Sequence, residues 1–146
     1  MKIALNTLQS KILKTLVESG LNKADAKIIA DYLMWAEMSG NKTQGLIKMT
    51  GTEPLQNVKP KYAPRIERDT KLSQLIDAGA SPAPLAAVNG TRTAIQKAKA
   101  AGFGIVGVHN TFSSNGAQAY YAELIAREDL NWYRMQSVSS VNNWFQ

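Results

Sequence analysis

Apolar residues recur at Leu8, Ile12, Leu13, Leu16 and Val17, the spacing of one helical face, and the run stops at Gly20, which can take the left-handed closing conformation. The pattern predicts a helix over about residues 6–19. Asn22 is placed to cap a second helix, with Asp25 three positions on, and Ile28, Ile29, Tyr32, Leu33 and Ala36 supply its buried stripe as far as Gly40. Two antiparallel helices joined by a short turn result. Leu46, Ile47 and Met49 predict a short third helix capped by Thr43, and Pro54, Pro60 and Pro64 make residues 51–64 an extended connection.

Past Pro64 the periodicity changes. Arg65–Arg68 and Leu72–Asp77 read as short strands, Ser81-Pro82-Ala83-Pro84 as a loop, and Leu85–Ala101 as an alanine-rich helix closed by Gly102. Gly104–Val108 reads as a compact buried strand, residues 109–116 as a polar loop, and Ala117–Asp129 as another helix. The expected class is α/β (α+β): a helical subdomain over residues 1–50, the connection 51–64, then over 65–130 the start of a mixed sheet with flanking helices. Leu130–Gln146 breaks the pattern. Trp132, Tyr133, Trp144 and Phe145 crowd into it beside one charged residue, Arg134, with no helical or strand period.

Composition narrows the chemistry. At 146 residues and 45% hydrophobic the chain can bury a core, no apolar run approaches the roughly 20 residues of a membrane span, and the N-terminus lacks a signal peptide's apolar block. A cytoplasmic protein without a membrane partner is expected. The absence of cysteine excludes thiolate nucleophiles and cysteine metal sites, the single histidine, His109, argues against histidine-rich metal sites and a conventional triad, and no metal is expected. The net charge of +6 is diffuse: residues 1–75 hold twelve Lys/Arg against seven Asp/Glu, without a dense basic run or interleaved aromatics. A nucleic-acid partner is therefore not expected.

Two loops gather polar groups beside glycines. In Gly40-Asn41-Lys42-Thr43-Gln44-Gly45-Leu46-Ile47-Lys48, Gln44 and Lys48 fall one helical turn apart, and Lys48 can pair with a substrate carboxylate or stand as a solvated lysine on a capped turn. In His109-Asn110-Thr111-Phe112-Ser113-Ser114-Asn115-Gly116, a strand's carboxyl end meets a helix N-terminus, where exposed N–H groups favour anions. His109 there is either a proton donor or a hydrogen-bonded structural side chain. Gly102-Phe103-Gly104 ends a helix and enters a strand, the reverse of a dinucleotide fingerprint.

At these loops the chain resembles the malate/L-lactate/ureidoglycolate type of NAD(P)-dependent 2-hydroxyacid oxidoreductases, which do not share the usual Rossmann fold. Members have a helical pair, then an acidic residue, a glycine, Ser-His-Gly and a base; the counterparts here are Glu37, Gly40, Thr43-Gln44-Gly45 and Lys48. Members also carry a strand, Asn-Ser-x-His-Phe-Gly and a Tyr-Tyr pair opening a helix. Here Val106–Val108, Asn110, Ser114-Asn115-Gly116-Ala117 and Tyr120-Tyr121 correspond, so the likeness runs from about residue 5 to Leu130. The resemblance implies hydride transfer between NAD or NADP and a small 2-oxo or 2-hydroxy acid, in a homodimer. It assigns substrate contact to Thr43 and Lys48, cofactor contact to Asn115 and Gly116, and gives Gln44 and Ser114 the places of the family's two histidines. Neither Gln44 nor Ser114 is an acid or base near neutral pH without help, so the family's proton chemistry needs another donor, for which Lys48 or a water is a candidate.

Codon arithmetic bears on the tail. Read from the second base, Asn131-Trp132-Tyr133-Arg134-Met135 allows Ile-Gly-Ile-Val and then Cys, and Asn142-Asn143-Trp144-Phe145 allows Thr-Thr-Gly-Phe in the same frame. Residues 131–146 are accordingly expected to be read out of frame, and the chain to be the inactive N-terminal part of a longer oxidoreductase. The alternative is a small stand-alone α/β module that binds a ligand or a protein without catalysis.

Overall fold

The computed structural model describes residues 3–51 and 54–131. Helix α1 spans Leu5–Glu18 and buries Ile12 and Leu16, while Val17 at its edge is exposed. Gly20, at φ 104°, turns the chain. Helix α2, Lys23–Met38, starts as its cap chemistry dictates: Asn22 Oδ1 accepts the Asp25 N–H at 2.9 Å, satisfying an amide that the first helical turn leaves unpaired. Its buried face is Ala26, Ile29, Ala30, Tyr32, Leu33 and Ala36.

The third helix predicted after Thr43 is instead two 3-10 turns, Lys42–Gln44 and Leu46–Met49, hinged at Gly45. Thr43 lies inside the first turn and caps nothing. A Cβ at position 45 would lie 2.5 Å from Glu37 Oε2 and 3.1 Å from the Glu37 backbone, so a glycine lets this segment approach α2. The connection carries a further 3-10 turn, Leu55–Asn57, with Leu55 and Val58 buried.

Strands β1 (Arg65–Asp69) and β2 (Ser73–Pro82) pair antiparallel, and β2 pairs parallel with β3 (Ile105–Phe112) through helix α3 (Ala83–Ala101), giving a mixed sheet in the order β1-β2-β3. A parallel pair needs such a crossover, and the alanine-rich helix supplies it. Helix α4, Gln118–Ala126, follows and stops three residues short of the expected Asp129.

Three expectations are corrected in the sheet. Ser81-Pro82 is strand, not loop: Ser81 pairs with Thr111 and Pro82 with Phe112, and α3 starts directly at Ala83 with Pro84 in its first turn, where a missing N–H costs nothing. The register breaks between Asp77 and Ser81, where Gly79 (φ 60°) and Ala80 (φ 61°) are left-handed. For the same reason β3 runs past Val108 to Phe112 and takes in His109 and Asn110, leaving residues 113–117 as the loop. Nor is β3 buried throughout. Val106 and Val108 are half-covered, packing over Gly90 of α3, whereas Ile105 on the opposite face is 53% exposed.

One apolar core unites the chain: Ile12 and Leu16 of α1, Ile29 and Leu33 of α2, Leu55 of the connection, Val88 of α3 and Tyr121 of α4 belong to a single cluster. No helix among the described residues is long and apolar enough to cross a membrane. Residues 132–146, all but the first position of the segment expected to be read out of frame, lie outside the described residues.

Candidate functional site

Lys48 and Ser114 are 66 positions apart in sequence, and the fold joins them: Lys48 Nζ donates to Ser114 Oγ at 2.7 Å. Lys48 stands in the second 3-10 turn, which Glu37 anchors to α2 by accepting the Leu46 N–H at 3.1 Å. Beside it Thr43 is exposed, its Oγ1 donating to Asn41 Oδ1 at 3.3 Å. Gln44 has an enclosed Oε1 with no hydrogen-bond partner among the described residues. Such an orphaned acceptor costs about 1–3 kcal/mol, which a donor from outside the chain would recover. Thr43, Gln44 and Lys48 thus share one short segment, and Ser114 comes to it from across the fold.

The loop bearing Ser114 is held from below. Ser113 (φ 72°) and Gly116 (φ 76°) are both left-handed, which folds the chain back tightly between β3 and α4. Tyr32 Oη of α2, wholly buried, accepts the Ala117 N–H at 2.6 Å, and a Cβ at position 116 would sit 1.7 Å from that oxygen. Only glycine fits. Tyr121 of α4 donates its hydroxyl to the Asn115 carbonyl at 2.5 Å. The Tyr32 ring meets Tyr120 edge-on at 5.5 Å and lies parallel to Tyr121 at 6.2 Å. Burial pushes the Tyr32 phenol above its ordinary value, partly opposed by the Ala117 N–H, and burial likewise raises Tyr120.

These contacts bear on the two positions assigned to the cofactor. The Asn115 carbonyl is engaged by Tyr121, and the space beside Gly116 is filled by Tyr32. The glycine here serves packing against a phenol.

A second polar cluster ties the sheet to the connection. Asp77 accepts from the Tyr62 hydroxyl at 2.7 Å, from the Gly79 N–H at 2.9 Å and from Asn110 Nδ2 at 2.7 Å, and Asn110 also donates to Tyr62 Oη at 2.9 Å. The Tyr62 hydrogen bond, then those of Gly79 and Asn110, with His109 nearby, hold the Asp77 carboxyl down at about 2. The same bond pushes the Tyr62 phenol up. Asn110 is left-handed at φ 52°, a conformation asparagine tolerates, so Asp77 pins the bend from which the Ser114 loop departs. Periodicity hid this role, since Asp77 reads as a strand end; an acidic residue directly before Ala78-Gly79-Ala80 was the available signal. His109, in mid-strand, pairs through Nε2 with Glu67 Oε2 on β1 at 2.9 Å, on the half-exposed face of the sheet. Among the described residues no three metal-binding side chains cluster.

Comparison with known proteins gives this geometry a setting. The profile of the malate/L-lactate dehydrogenase family matches residues 3–143, past the Leu130 limit of the motifs. The chain is 30% identical to a malate/(S)-sulfolactate dehydrogenase of Methanothermus fervidus, over 84% of this chain and 37% of that protein. It is 27% identical to an Escherichia coli O157:H7 ureidoglycolate dehydrogenase (NAD(+)), over 89% of this chain and 38% of the other. Among solved structures, the sulfolactate dehydrogenase of Methanocaldococcus jannaschii superposes with a TM-score of 0.80 at 26% identity, covering 88% of this chain and 38% of that one. The malate dehydrogenase of Entamoeba histolytica gives 0.79 at 26% identity, covering 88% and 36%. The chain thus spans between a third and two fifths of these relatives' length. With its mixed α/β fold, its paired loops and a family match along almost its whole length, the chain belongs to the malate/L-lactate dehydrogenase family.

Proposed function

We propose that residues 43–48 and 113–117 form the substrate side of an oxidoreductase site for a small 2-oxo or 2-hydroxy acid, with NAD or NADP as hydride carrier. The observation that carries this reading is the 2.7 Å contact of Lys48 with Ser114, which brings a cation and a hydroxyl from distant segments to one place. Lys48 takes the substrate carboxylate, a charge-assisted contact. Thr43 and the carboxamide of Gln44, whose Oε1 has no partner among the described residues, supply hydrogen bonds, and Ser114 faces the 2-oxygen. His109, paired with Glu67, is given no proton to move. A nicotinamide, when bound, supplies hydride; the chain's own residues bind and orient the acid. The family's homodimer and a cytoplasmic location belong to the same reading. Family membership does not favour the alternative of a stand-alone binding module.

The test is binding. Oxamate, which carries a carboxylate beside a carbonyl, is titrated into the 146-residue chain and followed by amide NMR. It should shift the amides of residues 43–48 and 113–117, and Lys48→Ala should weaken it about 10–100-fold, the equivalent of a charge-assisted hydrogen bond of about 1.5–3 kcal/mol. Equal binding by both proteins overturns the reading. We infer also that the 146-residue polypeptide alone does not turn over, because Gln44 and Ser114 hold the places of the family's two histidines and neither is an acid or base near neutral pH without help. Oxidation of NADH or NADPH with any 2-oxoacid, above a Lys48→Ala control, refutes that. The out-of-frame reading of residues 131–146 fails if the encoding DNA has no other frame continuing into an apolar strand.

A further inference from the structure

We propose that Asn115 is a self-modification site: in the folded chain the Gly116 nitrogen attacks the Asn115 carboxamide, giving a succinimide and then aspartate or isoaspartate at position 115, and Tyr121 promotes the attack. The sequence holds two Asn-Gly dipeptides, Asn89-Gly90 and Asn115-Gly116. Glycine hinders such an attack least, because no Cβ stands beside its nitrogen. The fold treats the two pairs differently. Gly90 lies inside α3, where its N–H is committed to the helical ladder and the residue is buried against Val106 and Val108. Ring closure there would break the helix. Gly116 lies in the loop before α4, left-handed at φ 76° and half-buried. Among the described residues nothing accepts its N–H, and no hydrogen bond fixes the Asn115 carboxamide.

The peptide unit that supplies the nucleophile is the one Tyr121 touches. Its hydroxyl donates to the Asn115 carbonyl at 2.5 Å, and that carbonyl shares a resonant amide with the Gly116 nitrogen. When the N–H proton is lost, negative charge spreads onto the carbonyl oxygen, where a donor placed in advance stabilises it. The Gly116 proton passes to hydroxide, the nitrogen bonds to Asn115 Cγ, and the side-chain nitrogen takes a proton from water and leaves as ammonia. Water then opens the imide at either carbonyl, with nothing oxidised or reduced. Attack at the original main-chain carbonyl leaves isoaspartate, whose chain runs through Cβ and Cγ and is one carbon longer. That carbon falls directly before Gly116, where a Cβ would already lie 1.7 Å from Tyr32 Oη. The longer chain draws the Ala117 N–H off Tyr32 and releases the loop. Tyr32 itself demands the glycine, so the susceptible pair is part of the packing.

Peptide mapping tests this without substrate or cofactor. The 146-residue chain is held at mildly alkaline pH, folded or in urea, and conversion at each asparagine is followed by mass spectrometry, with the two products separated chromatographically. In the folded chain Asn115 should convert about 30-fold faster than Asn89, whose reaction waits on local opening of α3, and in urea the two should agree within about threefold. Tyr121→Phe keeps the ring stacked on Tyr32 and should slow Asn115 about tenfold, the loss of one charge-assisted hydrogen bond. Hydrogen exchange at Ala117 should quicken in the isoaspartate form, and Asn115→Gln, incubated in the same way, should keep its protection. Equal conversion of Asn115 and Asn89 in the folded parent overturns the site, a comparison that needs no variant to fold. Conversion in Tyr121→Phe as fast as in the parent overturns the part given to Tyr121, and unchanged Ala117 exchange in the isoaspartate form overturns the release of the loop.

Discussion

Removing one oxygen atom, in Tyr32→Phe, should loosen the Ser114 loop while leaving the core around it intact. The ring stays: Tyr32 is wholly buried, and its contacts with Tyr120 and Tyr121 need only the aromatic face. What goes is the acceptor of the Ala117 N–H, a 2.6 Å hydrogen bond inside the core. Ala117 is itself 2% exposed, so its amide gains no water in exchange. Orphaning a buried donor costs about 1–3 kcal/mol, and taking the middle value of about 2 kcal/mol the local opening equilibrium rises about 30-fold. Native-state hydrogen exchange reads this directly: the Ala117 amide should exchange about 30-fold faster, with the amides of α1 changed far less. An Ala117 exchange rate within twofold of the parent would show that the phenol does not hold this amide, and the account of the loop would fall with it.

Gly104→Ala should destabilise strongly, by about 3 kcal/mol or more, because the added Cβ would lie 2.2 Å from the Ala94 carbonyl oxygen and 2.9 Å from the Ala98 nitrogen, backbone atoms that cannot step aside; urea denaturation checks it. The Asp77 carboxyl is depressed in the folded chain to about 2, so its contribution is complete above the ordinary carboxylate range and is lost as pH falls from about 4 towards 2. Asp77→Asn should flatten the stability profile across that window, and an unchanged acid limb would count against the Tyr62–Asp77–Asn110 cluster. Trp35→Phe removes a 2.6 Å indole-to-carboxylate hydrogen bond to Glu123 and should cost about 1.5–3 kcal/mol, lowering the denaturation midpoint without altering oxamate binding.

What was legible in the sequence was local. Gly20, the Asn22 cap and the Ile29–Leu33 stripe specify α1 and α2 through contacts a few residues apart, and the structure follows them closely. The strand ends were not legible, because Ser81-Pro82 carries turn chemistry and becomes strand only through pairing with Thr111 and Phe112, some thirty residues away. A proline at a strand's last position demands no donor, and the sequence pattern has no way to express that. The site divides in the same manner. Thr43, Gln44 and Lys48 could be grouped from their spacing, but the partnership of Lys48 with Ser114 depends on how β3 and α4 meet α2, and Tyr32 reads along the chain as one more apolar position in a stripe.

Lys48 and Tyr32 both lie in the first fifty residues, yet each ends on the loop that follows β3. The site loop is therefore suspended from the helical segment as much as from its own sheet, and the two parts of the chain cannot drift independently in evolution. A change on the inner face of α2 is, through one phenol, also a change at the hydroxyl of Ser114. Anyone transplanting this loop to another sheet must bring the helix that carries it.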